Sequence, residues 1–391
     1  MQPNSSCHLP SVRRTRARQA GQPSTRTSFL RSLFYNAKVK TWDTIIIGAG
    51  IIGLSLALAL RKRRASVLVV ERGEPGREAS YAAGGMLVGC GLETPAVLQP
   101  LATASARLYP GFVDELELES GVHVDLREHG TIVFPPPEDV YRRPGFTLAS
   151  LLPVPLAELE PALADPQRPA FYLKERSVDP RALCTAAWKA AKRRGIDFSS
   201  GDEVTSVTVS HGRATGVRTI KTAFHADKVV NCAGAWSGQI PPHTFPTRPV
   251  KGQMLCLLMP SPTLLNHVVR SPEVYLIPRS DGRLLVGATV EEAGFDKRTD
   301  IATMQRFHRV ALDLIPELRN GKILEDWAGL RPGTPDALPI LGPTATPGYY
   351  VATGHFRDGI LLAPITADVM AAVMEGQTPE YDLVPFYPAR F

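Results

Sequence analysis

The segment Gly48-Ala49-Gly50-Ile51-Ile52-Gly53 constrains this chain more than any other. Before it stands Asp43-Thr44-Ile45-Ile46-Ile47, a short β-branched apolar run that predicts a buried strand. After it, Leu54-Ser55-Leu56-Ala57-Leu58-Ala59-Leu60 carries helix formers and no breaker. The glycines therefore fall where a strand turns into a helix, the context that gives this spacing its meaning. Gly48 permits the tight turn, Gly50 lets a pyrophosphate approach the backbone, and Gly53 lets the helix pack close to the strand. The free N–H groups and the positive end of the helix would face the phosphates. A second apolar run, Ala65-Ser66-Val67-Leu68-Val69-Val70, ends in Glu71. That acid is 18 residues past Gly53, close to the spacing of a carboxylate that holds ribose hydroxyls. An acid there, rather than an arginine, argues against a 2′-phosphate and hence against NADP.

The length, 391 residues, allows one large or two interleaved domains. The formal net charge of +6 is misleading, because residues 1–40 carry eight Lys/Arg and no acid. The rest holds 36 basic against 38 acidic residues, so no nucleic-acid surface is expected. The basic tail, rich in Ser, Thr, Arg and Gln, fits disorder or a natural start near Val39 better than a targeting peptide. The five cysteines, Cys7, Cys90, Cys184, Cys232 and Cys256, form no CxxC pair; a reducing compartment, the cytoplasm, and no metal site are expected. No run of 18 apolar residues suggests a membrane-spanning helix.

Along the chain, Ala79-Ser80-Tyr81-Ala82-Ala83-Gly84-Gly85-Met86-Leu87 is a run of small residues that suits either close approach to a cofactor or a loosely packed loop. Residues 95–118 predict a helix through Leu98, Leu101, Leu108, Phe112 and Leu116, and 122–134 predict strands. Prolines in 135–170 predict loops and short helices. Asp179-Pro180-Arg181 opens a helix with a capping acid and an early proline, and Gly195 closes it. Strands follow near Ile196, Glu203 to Val209 and Val217, with a hairpin turn at His211-Gly212. Ala226 to Ser237 predicts a buried strand ending in a small-residue turn, with Cys232 as a core residue. Strands over 249–256, 274–279 and 284–289 predict an antiparallel sheet, followed by a helix from Ile301 to Leu314. In the closing part, Arg331 stands among glycines and prolines, either as an anion-binding fork or as a surface side chain. A last strand breaks at Gly354, and Gly359-Ile360-Leu361-Leu362-Ala363-Pro364 predicts the start of a last helix whose N-terminus would be a second anion site.

These residues resemble the FAD-dependent amino-acid oxidases of the D-amino-acid oxidase superfamily, and most closely its ThiO-type glycine oxidases. The resemblance covers about 42–385 and rests on Gly48–Gly53, Ser80 to Leu87, Val250 to Met254, Tyr275 to Arg279, Gly287-Ala288-Thr289 and Trp327 to Asp336. Most diagnostic is Gly354-His355-Phe356-Arg357-Asp358-Gly359-Ile360-Leu361-Leu362-Ala363-Pro364. It implies an α/β fold class: a Rossmann-like FAD-binding domain (41–90, 175–240 and 326–391) interleaved with an α+β, antiparallel-sheet substrate domain (91–174 and 241–325). The cofactor contacts it implies are Gly48, Gly50, Ile51, Ile52, Gly53, Glu71, Arg72, Ala79, Ser80, Gly84, Gly85, Met86, Val204 and Gly329. The run His355, Phe356, Arg357, Asp358, Gly359, Ile360 and Leu361 would also touch FAD. Arg331 would clamp the substrate carboxylate with help from Tyr275, and Arg357 would make a second substrate contact.

Two departures bear on substrate preference: Val88-Gly89-Cys90 replace a common Ala-Pro after Gly-Met-Leu, and Val290 stands where some members have Met. Related sarcosine oxidases attach flavin through a cysteine near 328–336; none lies there, so FAD is expected to be non-covalent. The implied reaction takes a small amino acid, glycine or sarcosine first and D-alanine next, with O2, to an imine or 2-oxo acid, ammonia and hydrogen peroxide. His355 is expected to pack rather than act as a base. The family suggests a homotetramer and a link to a thiazole synthase in thiamine formation. A dehydrogenase passing electrons to quinone would share the fold, as would a flavoprotein without turnover.

Overall fold

The computed structural model describes residues 40–89, 94–134, 152–153, 155–165, 168 and 170–391. The expectations for residues 1–39, for Cys7 and Cys90, and for most of 135–170 lie outside the described residues.

The first sheet grows from the strand Thr41–Ile47, which pairs in parallel with Val67–Glu71 on one side and Ala223–Asn231 on the other. Asp197–Ser200 extends it in parallel beyond Val67–Glu71, and Tyr349–Thr353 pairs in parallel with Ala223–Asn231. Side chains alternate between faces, and burial on both faces explains the uninterrupted apolar runs. Ile46, Val69 and Val230 face a layer containing helices Ile51–Lys62, Gln99–Ser120, Pro180–Arg193 and Ala363–Met374. Ile45, Ile47, Leu68, Val70 and Val229 face the opposite way, onto Val204, Val207, Ala214 and Val217 of the hairpin Val204–Ser210/Arg213–Thr219. The hairpin turns at His211 and Gly212, both at positive φ (48° and 75°), as its short loop requires.

The second sheet is mostly antiparallel and carries Arg248–Leu258 beside Lys322–Gly333 and Arg283–Gly287, then Tyr275–Pro278, Val268–Arg270, Thr131–Val133 and Phe171–Leu173. One face, with Ile132, Leu255, Val269, Leu276 and Val286, is covered by helix Ile301–Leu314 through Phe307 and Ala311. The other face carries Met254, Ile277 and Leu285 and looks toward the first sheet's loops. Mixed parallel and antiparallel pairing thus matches the expected α/β class.

Three expectations change. Helix Gln99–Ser120 falls in the stretch assigned to the substrate domain, yet its Leu101, Tyr109, Val113 and Leu116 pack in the core of the first sheet's helical layer. Tyr109 is fully buried and its hydroxyl donates to the Ile360 carbonyl at 2.5 Å, whereas the expected face residue Leu108 is 38% exposed. The strand Lys322–Gly333 belongs to the second sheet, although 326–391 is expected in the cofactor domain; pairing with Arg248–Leu258 along its length decides this. The last helix starts at Ala363 rather than near Gly359, with Pro364 in its first turn, where a missing N–H costs nothing.

Candidate active site

A cavity of about 800 Å3 opens between the Gly48–Gly53 turn and the second face of the antiparallel sheet. At one end the glycine turn does what its spacing predicts. Gly48 has φ of 101°, and a Cβ there would lie 2.6 Å from the Cys232 carbonyl oxygen. A Cβ on Gly53 would lie 2.1 Å from the Gly48 carbonyl oxygen, so this glycine sets how closely helix Ile51–Lys62 sits on the turn. Gly48, Gly50, Ile51 and Ile52 line the cavity, and the smooth backbone leaves room for a dinucleotide's phosphates. Gly53 is absent from the lining; its role is packing.

The backbone donors at the turn are less free than expected. The Ala49 N–H donates to Glu71 Oε2 at 2.7 Å and the Ile51 N–H to Ser80 Oγ at 3.1 Å. Glu71 also accepts from the Gly73 N–H at 2.9 Å through Oε1, so it braces the turn while lining the cavity. Each carboxylate oxygen keeps a second lone pair for a ribose hydroxyl. The Arg72 guanidinium sits over the Trp236 ring, 3.5 Å from its centroid, and forms an ion pair with Glu78 at 3.0 Å. The sequence gives no local signal for Trp236, because its contact with Arg72 joins two distant segments. Ala79, Ser80, Gly84, Gly85, Met86 and Val204 line the middle of the cavity, and Gly329 faces them. A Cβ on Gly329 would come within 2.4 Å of the Ala82 Cβ.

The loop carrying Gly84 is pinned from behind. Arg279, 1% exposed, donates from Nη2 to the Gly84 carbonyl at 2.6 Å. Burial pushes its guanidinium down to about 10, opposed chiefly by Asp179.

At the other end stand Arg331 and Tyr275. The guanidinium of Arg331 lies across Gly252: a Cβ there would fall 2.2 Å from Nη1 and 2.4 Å from Nη2. Nη1 donates to the carbonyls of Thr289 at 3.0 Å and Lys251 at 3.3 Å, which holds the fork over this face of the sheet. The Tyr275 hydroxyl donates to Met254 Sδ at 3.5 Å. Burial raises the phenol's pKa, and the charge of Arg331 is the main opposing influence. The phenol therefore stays protonated and can donate to an anion held by Arg331. Arg357 lines the same cavity. Gly252 carried no expected role: it sits 79 positions before Arg331, and only the strand pairing brings the two together. Gly252→Ala is expected to displace Arg331, raising KM by on the order of tenfold or more while the cofactor stays bound. Steady-state kinetics beside the cofactor's visible absorbance checks this; an unchanged KM contradicts it.

The run from His355 to Ile360 also lines the cavity. Leu361 turns away, 1% exposed in the core, so it is not a cavity residue. The last helix begins at Ala363, past Ile360, the last residue of this run that lines the cavity. Phe356 has φ of 46°, costly for a bulky side chain, and its N–H donates to the Pro332 carbonyl at 3.1 Å. His355 is 3% exposed, and its Nε2 pairs with Thr366 Oγ1 at 3.1 Å. Burial pushes its imidazole down to about 3, so it is neutral at physiological pH and packs, as the sequence suggests. In the unfolded chain a histidine titrates near about 6.5. The folded pKa is depressed, so this contribution to stability is full above about 6.5 and falls as pH drops toward 3, by about 1.4 kcal/mol per unit. Between pH 7.5 and 5.0 the loss is about 2 kcal/mol. Urea unfolding at the two pH values should show this loss, and His355→Gln should reduce it; an equal loss in the variant contradicts the assignment.

Residues 43–373 match the family described as DAO, FAD dependent oxidoreductase. The chain is 35% identical over 359 residues to the Bifunctional protein ThiO/ThiG of Synechocystis sp., covering 90% of this chain and 54% of that protein. It thus spans about half the length of the ThiO/ThiG relatives it matches. It is 31% identical over 405 residues to Hydrogen cyanide synthase subunit HcnC of Pseudomonas aeruginosa, covering 90% and 97%. Its fold superposes on the crystal structure of glycine oxidase from Geobacillus kaustophilus with a TM-score of 0.85 and 32% identity, over 90% of this chain and 99% of the other.

Proposed function

The chain belongs to the DAO family of FAD-dependent oxidoreductases, and on that premise we propose that it oxidises the amine of small amino acids, glycine first and sarcosine and D-alanine next. FAD is its cofactor, and the glycine turn, Glu71 and the small-residue loop fit that group. The observation that carries the substrate reading is Arg331 laid over Gly252 beside Tyr275, in the same cavity as the dinucleotide turn.

In this reading Arg331 binds the substrate carboxylate through its fork, and the Tyr275 hydroxyl donates to the same group. The two fix where the Cα–H bond points, which is the orienting share of catalysis. FAD would supply the redox chemistry: a hydride (two electrons and one proton) leaves the substrate Cα, a second proton leaves its nitrogen, and O2 accepts the two electrons and two protons as hydrogen peroxide. Water then converts the imine to a 2-oxo acid and ammonia. No side chain need remove a proton if the amine arrives neutral, and His355, bonded to Thr366, is not placed to do so. The match to ThiO/ThiG supports a role in thiazole formation with a separate thiazole synthase as partner. A homotetramer is proposed by family resemblance. Among the described residues no helix is long and apolar enough to cross a membrane; a cytoplasmic location is part of the proposal.

The direct test is product analysis with glycine under air. Glyoxylate, ammonia and peroxide in equal amounts support the reading, and electron transfer only to added quinone contradicts it. FAD is further proposed to be non-covalent, since no cysteine lies in 328–336. Acid precipitation should release all the flavin; colour left in the pellet contradicts this.

A further inference from the structure

We propose that Arg270 is a second anion contact in this cavity, so that an amino acid bearing a second carboxylate is bound more tightly than its monocarboxylate counterpart. The proposal rests on reading Arg331 as the clamp for the first carboxylate.

The argument is one of register. Met254 stands opposite Trp327 and Gly287, Gly287 opposite Tyr275, and Tyr275 opposite Arg270. Directly opposed residues share a face of the sheet. The neighbours Leu255, Val286, Leu276 and Val269 point into the core on the other side. Arg270 therefore emerges on the cavity face one strand beyond Tyr275, with backbones about 4.8 Å apart, and it lines the cavity.

Among the described residues, no hydrogen bond or ion pair is found for the Arg270 guanidinium, and the acid its charge acts on is Glu175. The acid nearest in effect is Glu175, whose Oε2 is buried without a partner. Burial raises the pKa of the Glu175 carboxyl, and the charge of Arg270 opposes that shift. Glu273 also lines the cavity, but it is exposed on the tip of the same hairpin, where solvent screens it. Glu175 alone offsets the half-buried Arg270 guanidinium only in part, and a bound carboxylate would add a charge-assisted contact. Glycine reaches only the Arg331 end. A substrate with a second carboxylate, on its side chain or on its nitrogen, would engage both arginines.

The probes are thiodiacetate and (methylthio)acetate, which have no amine to oxidise and differ by one carboxylate. Each is titrated into the holoenzyme while the flavin's visible band is followed. Thiodiacetate is expected to bind at least about tenfold tighter, the scale of one charge-assisted contact. Arg270→Gln should bring the two affinities within about twofold, and Arg270→Lys should keep part of the difference. Equal affinities in the native enzyme, or an undiminished ratio in Arg270→Gln, overturn the proposal. Arg331→Ala separates the premise: it should weaken both ligands, and if it weakens neither, the clamp falls and this inference with it. Should Arg270→Gln fail to fold, the native enzyme decides. Iminodiacetate should then exceed sarcosine in kcat/KM by about tenfold, and the reverse order overturns the proposal.

Discussion

Arg331→Ala is expected to lower kcat/KM for glycine by on the order of 30- to 1000-fold, with FAD retained. The size follows from what is lost. A carboxylate held by a planar guanidinium in a partly desolvated site loses roughly 2–5 kcal/mol when one partner is removed. The guanidinium is also preset: bonds from Nη1 to the Thr289 and Lys251 carbonyls hold it before any ligand arrives. The substrate therefore does not bear the entropy of ordering it. Arg331 sits on the antiparallel sheet, away from the glycine turn, so its removal should not release the cofactor. Stopped-flow and steady-state measurements on the variant, with its flavin spectrum as control, check this. Unchanged turnover would remove Arg331 from the site.

The second large effect is expected at Gly53→Ala, and it strikes the cofactor rather than the substrate. The new methyl would lie 2.1 Å from the Gly48 carbonyl oxygen and 3.2 Å from Ile46 Cγ2. The first is a backbone atom and cannot swing aside, so the helix must shift by on the order of 1 Å in a close-packed interior. That helix is buried on nearly every side, through Leu54, Leu56, Ala57 and Leu60. Overpacking of this kind costs about 1–3 kcal/mol. The shift also carries Ile51 and Ile52 away from their places in the cavity wall. FAD affinity should fall by about tenfold or more, read from the ratio of flavin to protein absorbance after dialysis. Stoichiometric FAD in the variant would contradict this account of the turn.

The parts legible in the sequence are those written locally. The Gly48–Gly53 turn, its strand and its helix lie within about twenty residues, and their spacing alone places them. Helix Pro180–Arg193 announces its own start, since the Asp179 side chain accepts from the Arg181 and Ala182 N–H groups. The Asp281-Gly282 turn likewise predicts the adjoining strands Tyr275–Pro278 and Arg283–Gly287. What sequence does not carry is the pairing of distant segments. Arg331 appears there as a fork or a surface group, and only its overlap with Gly252 turns it into a fixed cavity residue. The apolar spacing of 95–118 predicts a helix but not the layer it packs in. Pro364 is a local first-turn signal and marks the helix start at Ala363 rather than Gly359. Glu71 has the right spacing for a ribose contact, yet nothing local reveals that it also holds the Ala49 N–H.

The central claim is that one cavity holds FAD at the glycine turn and an amino acid at Arg331. It is tested most directly by adding glycine to the purified holoenzyme without oxygen. The account predicts that the flavin's visible band bleaches and that hydrogen peroxide appears when air is admitted. A flavin band that neither glycine, sarcosine nor a D-amino acid bleaches would contradict it.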